Sequence, residues 1–384
     1  MSSCRVSVVC AAHNRSTDLV ATIESVRAQT VSAWELIVVS DGSTDDTDAV
    51  VSAAARRDGR VRLLRIDHRG HPSPARDTGV RAASADVVAY IDHDDRWYPD
   101  HLARLLELLD DGADVAATGG RYVDRAGSTV FATGEHNAIW HPEMQVLGPM
   151  FEPSRLAHRT GLLARCGGWR TGPGVEDWDL LLRMADLGAR FATVAAHTVD
   201  METSPGARRG RVRLVHHVPL VTVATARDAR AVLDTIRTTA LSAMQDAATA
   251  DIAAWLDRLR DDPCLVLPRD ADPSRAWASL RRTADDPVDL SGLTVVPSGD
   301  GVSVTQPVAC ASAGHARRLA AAGERIRSAQ RAVVDAVLAE LGVERVTSDD
   351  SDPPHVPPGG RDDLPVDADC APAGGRRLQP RSRI

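Results

Sequence analysis

Three aspartates crowd the stretch VVAYIDHDDRWYPDHL: Asp92, Asp94 and Asp95 stand directly behind a short apolar run. Adjacent carboxylates repel one another. A hard divalent cation such as Mn²⁺ or Mg²⁺, held through oxygen, is one arrangement that relieves the repulsion. Such an ion can bridge a diphosphate and neutralise charge on a departing phosphate. Acids ahead of a helix N-terminus are an alternative use of the same residues, and D-x-D-D by itself does not separate the two.

Three other stretches pose similar choices. Asp41 in VVSDGSTDDT follows an apolar run. Its carboxylate could accept hydrogen bonds from a base or ribose, or sit in a turn where Gly42 supplies flexibility and Ser43 the cap. Glu176, Asp177 and Asp179 in GPGVEDWDLLLRM open a helical pattern. A carboxylate beside that Gly-rich segment could act as a general base toward an acceptor, although the helix dipole favours acids there in any case. Arg76 in HRGHPSPARDTGV could grip phosphate through its planar fork. The chain contains no lysine, however, and all 45 basic residues are arginine, so a solvated helix charge is the plainer reading.

The elements that must position these groups follow from hydrophobic periodicity. RVSVVC (5–10), WELIVVS (34–40), VRLLRI (61–66), DVVAYI (86–91) and DVAATGG (114–120) read as strands. Helical patterns occupy about 18–29, 49–55 and 75–83 and the segment HLARLLELLDDG (101–112), the second of them opened by a capping-box spacing of Ser43 and Asp46. Strands alternating with helices predict βαβ units and a mostly parallel sheet. Ligands gather at the carboxyl ends of such strands, where Asp41 and the Asp92 cluster both fall. A hairpin is expected around residues 125–127, and Leu180, Leu181, Met184 and Leu187 are spaced for one buried helix face.

Beyond residues 204–211 the texture changes to Ala/Arg/Asp-rich helical segments at about 226–244 and 252–260, with one long helix over 314–341. The division expected is a domain over 1–211, a mainly helical C-terminal domain over 212–347 for acceptor recognition or oligomerisation, and a disordered Pro/Gly-rich tail over 348–384. A net charge of −8 argues against a nucleic-acid binder that neutralises phosphates. The six cysteines are scattered with no C-x-x-C pair, which speaks against a zinc site or disulfide framework and for a cytoplasmic location. No apolar run is long enough to span a membrane.

Taken in order, VSVVCAAHNR, WELIVVSDGSTDDT, PARDTGV, YIDHDD and CGGW…EDWDLLLRM resemble the motif series of the family 2 glycosyltransferases over about residues 5–196. The resemblance implies a GT-A fold, a Rossmann-like α/β architecture, and inverting transfer of a sugar from a nucleotide-sugar donor. It implies that Asp41 holds the uracil or other base, helped by main chain near Ala11 and His13, and that Arg76 lies near the base or diphosphate. Asp94 would contact the ribose or the ion, and Asp95 would ligate the ion. Asp177 would be the base that deprotonates the acceptor, with Glu176 second. Ser40, Asp77 and His13 stand where the family pattern has Asp, Asn and often Tyr, and His197 is a candidate further metal ligand. The implied partners are a UDP-sugar or other nucleotide-sugar donor and a soluble acceptor such as a peptide, natural product or glycan. A nucleotidyltransferase lacks support because no Gly-rich N-terminal loop with a basic residue is present, and a dehydrogenase because no G-x-G-x-x-G follows the first strand. A non-catalytic scaffold would need only the fold.

Overall fold

The computed structural model describes residues 4–172, 175–203, 214–284, 288–299 and 301–346. The first strand–helix units are β1 (Val6–Ala12), α1 (Ser16–Arg27), β2 (Trp34–Asp41), α2 (Thr47–Arg57), β3 (Val61–Ile66), α3 (Pro72–Arg81) and β4 (Val87–Tyr90). β1 pairs in parallel with β2 and β4, and β2 pairs in parallel with β3. Every residue of β1 and β2 is buried, because helices cover both faces. The alternation of side chains along a strand divides them: Val6, Val8 and Cys10 join Leu19, Ile23 and Val26 of α1, while Ala11 and Val39 meet Ala75 of α3.

Gly79 lets α3 lie this close to the sheet. A Cβ at that position would fall 2.4 Å from Val9 Cγ1. Gly79→Ala is therefore expected to cost about 1–3 kcal/mol through overpacking, read as a lowered urea midpoint; an unchanged midpoint would show that the helix can shift freely.

The sheet continues through β5 (Arg96–Trp97), α4 (His101–Asp110), β6 (Val115–Val123), β7 (Thr129–Ala132), α5 (Pro142–Leu147), β8 (Leu156–Arg159), α6 (Thr160–Arg165), α7 (Glu176–Asp186) and β9 (Phe191–Glu202). Its order is β3-β2-β1-β4-β8-β6-β9-β5, with β7 paired to β6. β8 lies antiparallel between β4 and β6, and β9 returns parallel to β6. The sheet is thus parallel in its first four strands and mixed beyond them. The expected hairpin is present, with Gly127 at φ 81° in its turn.

Three local expectations are corrected. The start of α2 is not a Ser43–Asp46 capping box: Asp46 makes no side-chain cap, Asp45 Oδ1 accepts from Thr47 N at 2.9 Å, and Ser43 Oγ accepts from Asn14 N. The segment expected as one helix over 226–244 breaks into α8 (Ala226–Thr238) and α9 (Leu241–Arg260), where Thr238 and Thr239 bond back to carbonyls one turn earlier. After α10 (Pro273–Thr283), the long C-terminal helix divides at Arg327 into α11 (Ala313–Ile326) and α12 (Ser328–Leu341). Asp251 makes that break possible by accepting from Ala329 N and Gln330 N at the new N-terminus. The C-terminal region is mainly helical, as expected, and adds a small sheet. β10 (Val215–Val223), β11 (Thr294–Ser298) and β12 (Gly301–Ala309) form an antiparallel sheet ordered β10-β12-β11.

The two regions share a core in which Val146, Trp178 and Leu182 pack with Val218, Cys310 and Leu319. Among the described residues no helix is long and apolar enough to cross a membrane. The expected junction near residue 211 and the tail from 348 lie outside the described residues.

Candidate functional site

The parallel strands deliver their carboxyl ends to one edge, and the acid loop after β4 is pinned there from several sides. Ile91 N still donates to Val9 O at 3.1 Å, continuing the sheet by one residue. Asp92 N donates to Ser154 Oγ, and Thr22 Oγ1 donates to the carbonyls of both His93 and Asp95 at 2.9 Å. Glu202 N, at the end of β9, donates to Asp95 Oδ1 at 3.0 Å, and Asp95 is buried. Asp94 keeps about a quarter of its side chain exposed, at 26%. Burial raises its carboxyl above the usual range; His93 opposes this and Asp92 adds to it. A carboxylate held reluctantly ionised beside two others is the donor set that a divalent cation would relieve, so Asp94 and Asp95 fit such an ion.

Asp41 closes β2 beside a pair of histidines. His13 Nδ1 donates to the Asp41 carbonyl at 2.7 Å, and His68 Nδ1 lies 3.0 Å from the same oxygen. Their rings stack with centroids 4.1 Å apart. The buried Asp41 carboxylate accepts from Arg69 N at 2.7 Å and lies 3.2 Å from His68 Nδ1. Gly42 permits this closure: its φ is +61°, and a Cβ there would meet the His68 backbone at 2.7 Å. Among the described residues, His13, Asp41 and His68 also form a His/Asp grouping with ligand atoms within 4.8 Å of one another. Both Nδ1 atoms point at a carbonyl, so in this tautomer the rings donate at those atoms and hold the 67–70 loop to β2. Ala11, expected to help through its main chain, offers its carbonyl to His93 Nδ1 at 3.2 Å.

The third component comes from α7, whose first turn carries Glu176 and Asp177. Glu176 is buried and pairs with Arg76 at 2.9 Å, and the same guanidinium pairs with Asp92 at 2.8 Å. The acid loop and the α7 N-terminus, distant in sequence, are brought together there. Arg76, expected near the nucleotide, lies at 5% side-chain exposure between these carboxylates. Asp177 keeps partial exposure and accepts from Trp178 N at 2.8 Å. Burial pushes its carboxyl up to about 7, with Glu176 adding to the rise and Arg76 opposing it. That is a proton affinity suited to a base working near neutrality.

Behind α7 the C-terminal region braces the helix. The Trp178 ring meets His315 edge-on at 4.4 Å, and Arg318 pairs with Asp186 at 2.8 Å. His315 accepts from Ala311 N at Nδ1, so its Nε2 donates to Val146 O at 2.7 Å; burial lowers its pKa to about 4 and keeps it neutral. His197, the candidate further ligand, instead lies 2.6 Å from Thr133 O through Nε2.

Several residues at the site escaped the sequence reading. Asn14 adopts φ 51° and accepts from Thr44 N at 2.8 Å, joining the β1 and β2 loops. An Asn just past a strand end was the available signal, since Asn tolerates left-handed backbone. Ser154, in the 3₁₀ turn before β8, and Glu202, at the end of β9, hold the acid loop from far along the chain and carry no local signal.

A curled, partly parallel sheet with a carboxylate at the end of β2, an acid loop after β4 and a facing acidic helix start defines the GT-A class of fold. Residues 7–164 match the family model "Glycosyl transferase family 2". Among curated proteins the chain is 39% identical over 156 residues to "Succinoglycan biosynthesis protein ExoO" of Rhizobium meliloti, covering 40% of this chain and 44% of that protein. It is 32% identical over 110 residues to "Putative glycosyltransferase EpsH" of Bacillus subtilis, covering 29% and 32%. The chain thus spans less than half the length of these relatives. Among solved structures, residues 1–349 of TarS from S. aureus, in complex with UDP-GlcNAc, align with a TM-score of 0.48 and 19% identity over 55% of this chain and 62% of that one.

Proposed function

We propose that the chain is an inverting glycosyltransferase that moves a sugar from a nucleotide-sugar, a UDP-sugar by preference, to a soluble acceptor such as a peptide, natural product or glycan, and that it works with Mn²⁺ or Mg²⁺. The observation that carries this reading is the convergence of the Asp92–Asp95 loop and the Glu176–Asp177 helix start through Arg76. The match of residues 7–164 to the family model supports the reaction class. Asp41 would accept hydrogen bonds from the base at one end of the edge. Asp94 and Asp95 would hold the cation, which when bound supplies positive charge for the departing diphosphate. Asp177 would accept the proton of the acceptor as its nucleophilic atom attacks the anomeric carbon from the face opposite the leaving group. The braced back of α7 keeps that carboxylate from following solvent.

The test is a thermal-shift panel of nucleotide-sugars with the full chain. One donor is expected to raise Tm in Mn²⁺ or Mg²⁺, and EDTA is expected to abolish the rise. A flat response across UDP-, GDP-, CDP- and dTDP-sugars with metal present would remove the reading.

A further inference from the structure

Arg76 is the most enclosed cation at the site, and its surroundings are built on every side. Nη1 donates to Glu176 Oε1 at 2.9 Å and Nη2 to Asp92 Oδ1 at 2.8 Å. The guanidinium carbon stands 4.6 Å over the Trp169 ring. That ring is fixed in turn. Trp169 N donates to Asp77 Oδ1 at 2.8 Å, and Trp169 Nε1 donates to Tyr90 Oη at 3.1 Å. Tyr90 Oη donates to His158 Nε2 at 2.7 Å, because His158 Nδ1 gives its proton to the Arg159 carbonyl. Asp77, which stands where the family pattern has Asn, thus accepts a main-chain donor from the tryptophan loop, and its oxygens lie 3.0 Å from where a Gly168 side chain would start.

Two geometric facts follow. The planar fork spans carboxylates on two different elements, which a lysine ammonium at the end of a flexible stem would not reproduce. A buried charge with both partners buried or half-buried is also costly to break from one side, so the three groups move as a unit.

We propose that Arg76 is a positioning residue: by tying Glu176 to Asp92 it fixes the first turn of α7 against the acid loop and so places Asp177 relative to Asp94 and Asp95, without touching the nucleotide. This rests on the glycosyl-transfer reading above.

The experiment compares Arg76→Ala, Arg76→Lys and the double variant Arg76→Met/Glu176→Met, which removes the buried charges together and guards against loss of fold. Calorimetry measures the Kd of UDP with Mn²⁺, and kinetics measure kcat and KM for the nucleotide-sugar that the donor panel selects. A misplaced base is expected to lower kcat by about a hundredfold, with UDP Kd and donor KM within about threefold of wild type. Arg76→Lys should recover kcat only in part, and added methylguanidinium should restore part of the kcat of Arg76→Ala. A UDP Kd raised more than about tenfold with kcat preserved would make Arg76 a nucleotide contact and overturn the proposal, as would a kcat near wild type in both Arg76→Ala and the double variant. A wild-type chain that binds no nucleoside diphosphate and turns over no donor would instead overturn the underlying function, and the positioning role with it.

Discussion

Asp177→Asn is expected to lower glycosyl transfer by about 10²- to 10⁴-fold, the usual worth of a positioned general base, while UDP and Mn²⁺ bind as they do to the wild type. The amide keeps the size of the side chain and can still accept from Trp178 N, the bond that Asp177 Oδ1 makes in the structure. It cannot take a proton. The pH dependence follows from the raised carboxyl, which loses its proton around pH 7. Below that the group is protonated and inert as a base, so the rate should climb with pH through about 7 and level off above it. The same shift carries a stability sign. The folded pKa lies above the unfolded value of 3.8, so the contribution is fully present below that value and is lost as pH rises through about 7. Asp177→Asn should accordingly raise Tm at pH 8 and leave it unchanged near pH 3. A rate indifferent to the substitution, or a stability gain confined to low pH, would place the base elsewhere.

Asp95→Asn and Asp94→Ala should abolish metal-dependent nucleotide binding. Asn at 95 is chosen because Asp95 Oδ1 accepts from Glu202 N at 3.0 Å, and an amide oxygen preserves that tie between the acid loop and β9. What it removes is charge. In the wild type, UDP supplied with Mn²⁺ at a hundred times its Kd should stabilise the fold by about 2.7 kcal/mol. In the variants that increment should vanish, leaving them like the wild type in EDTA. Without ligand the two behave differently. Burial and Asp92 both press against ionisation of Asp94, so Asp94→Ala should leave unliganded stability equal to or above wild type. Binding that survives both substitutions would show that the cation is not held by these carboxylates.

How much of this was legible in the sequence depends on how local each signal was. β1, β2 and β4 could be read because β-branched runs buried on both faces look alike wherever they occur, and Asp41 and Asp92 could be placed at strand ends for the same reason. The antiparallel β8 between β4 and β6 could not, since LAHR is only 4 residues of mixed character and its strand identity comes from its neighbours. The break at Arg327 was hidden because it depends on Asp251, far away in α9. Arg76 shows the same limit at the site. Its motif marked it as important, but its partners, Asp92 and Glu176, are set by tertiary packing, and no reading of HRGHPSPARDTGV alone would find them. The rise in the Asp177 proton affinity was not legible either, because a helix start by itself favours ionised acids and the rise comes first from the buried surroundings.

The central claim is tested most directly by ³¹P NMR of the chain incubated with Mg²⁺, which unlike Mn²⁺ is diamagnetic, and each nucleotide-sugar in turn. Free nucleoside diphosphate is expected to appear from one donor, to be suppressed by EDTA, and to form at a rate lowered by about 10²-fold or more in Asp177→Asn. Intact donors throughout with the wild-type chain, or a diphosphate signal unaffected by EDTA and by Asp177→Asn, would contradict it.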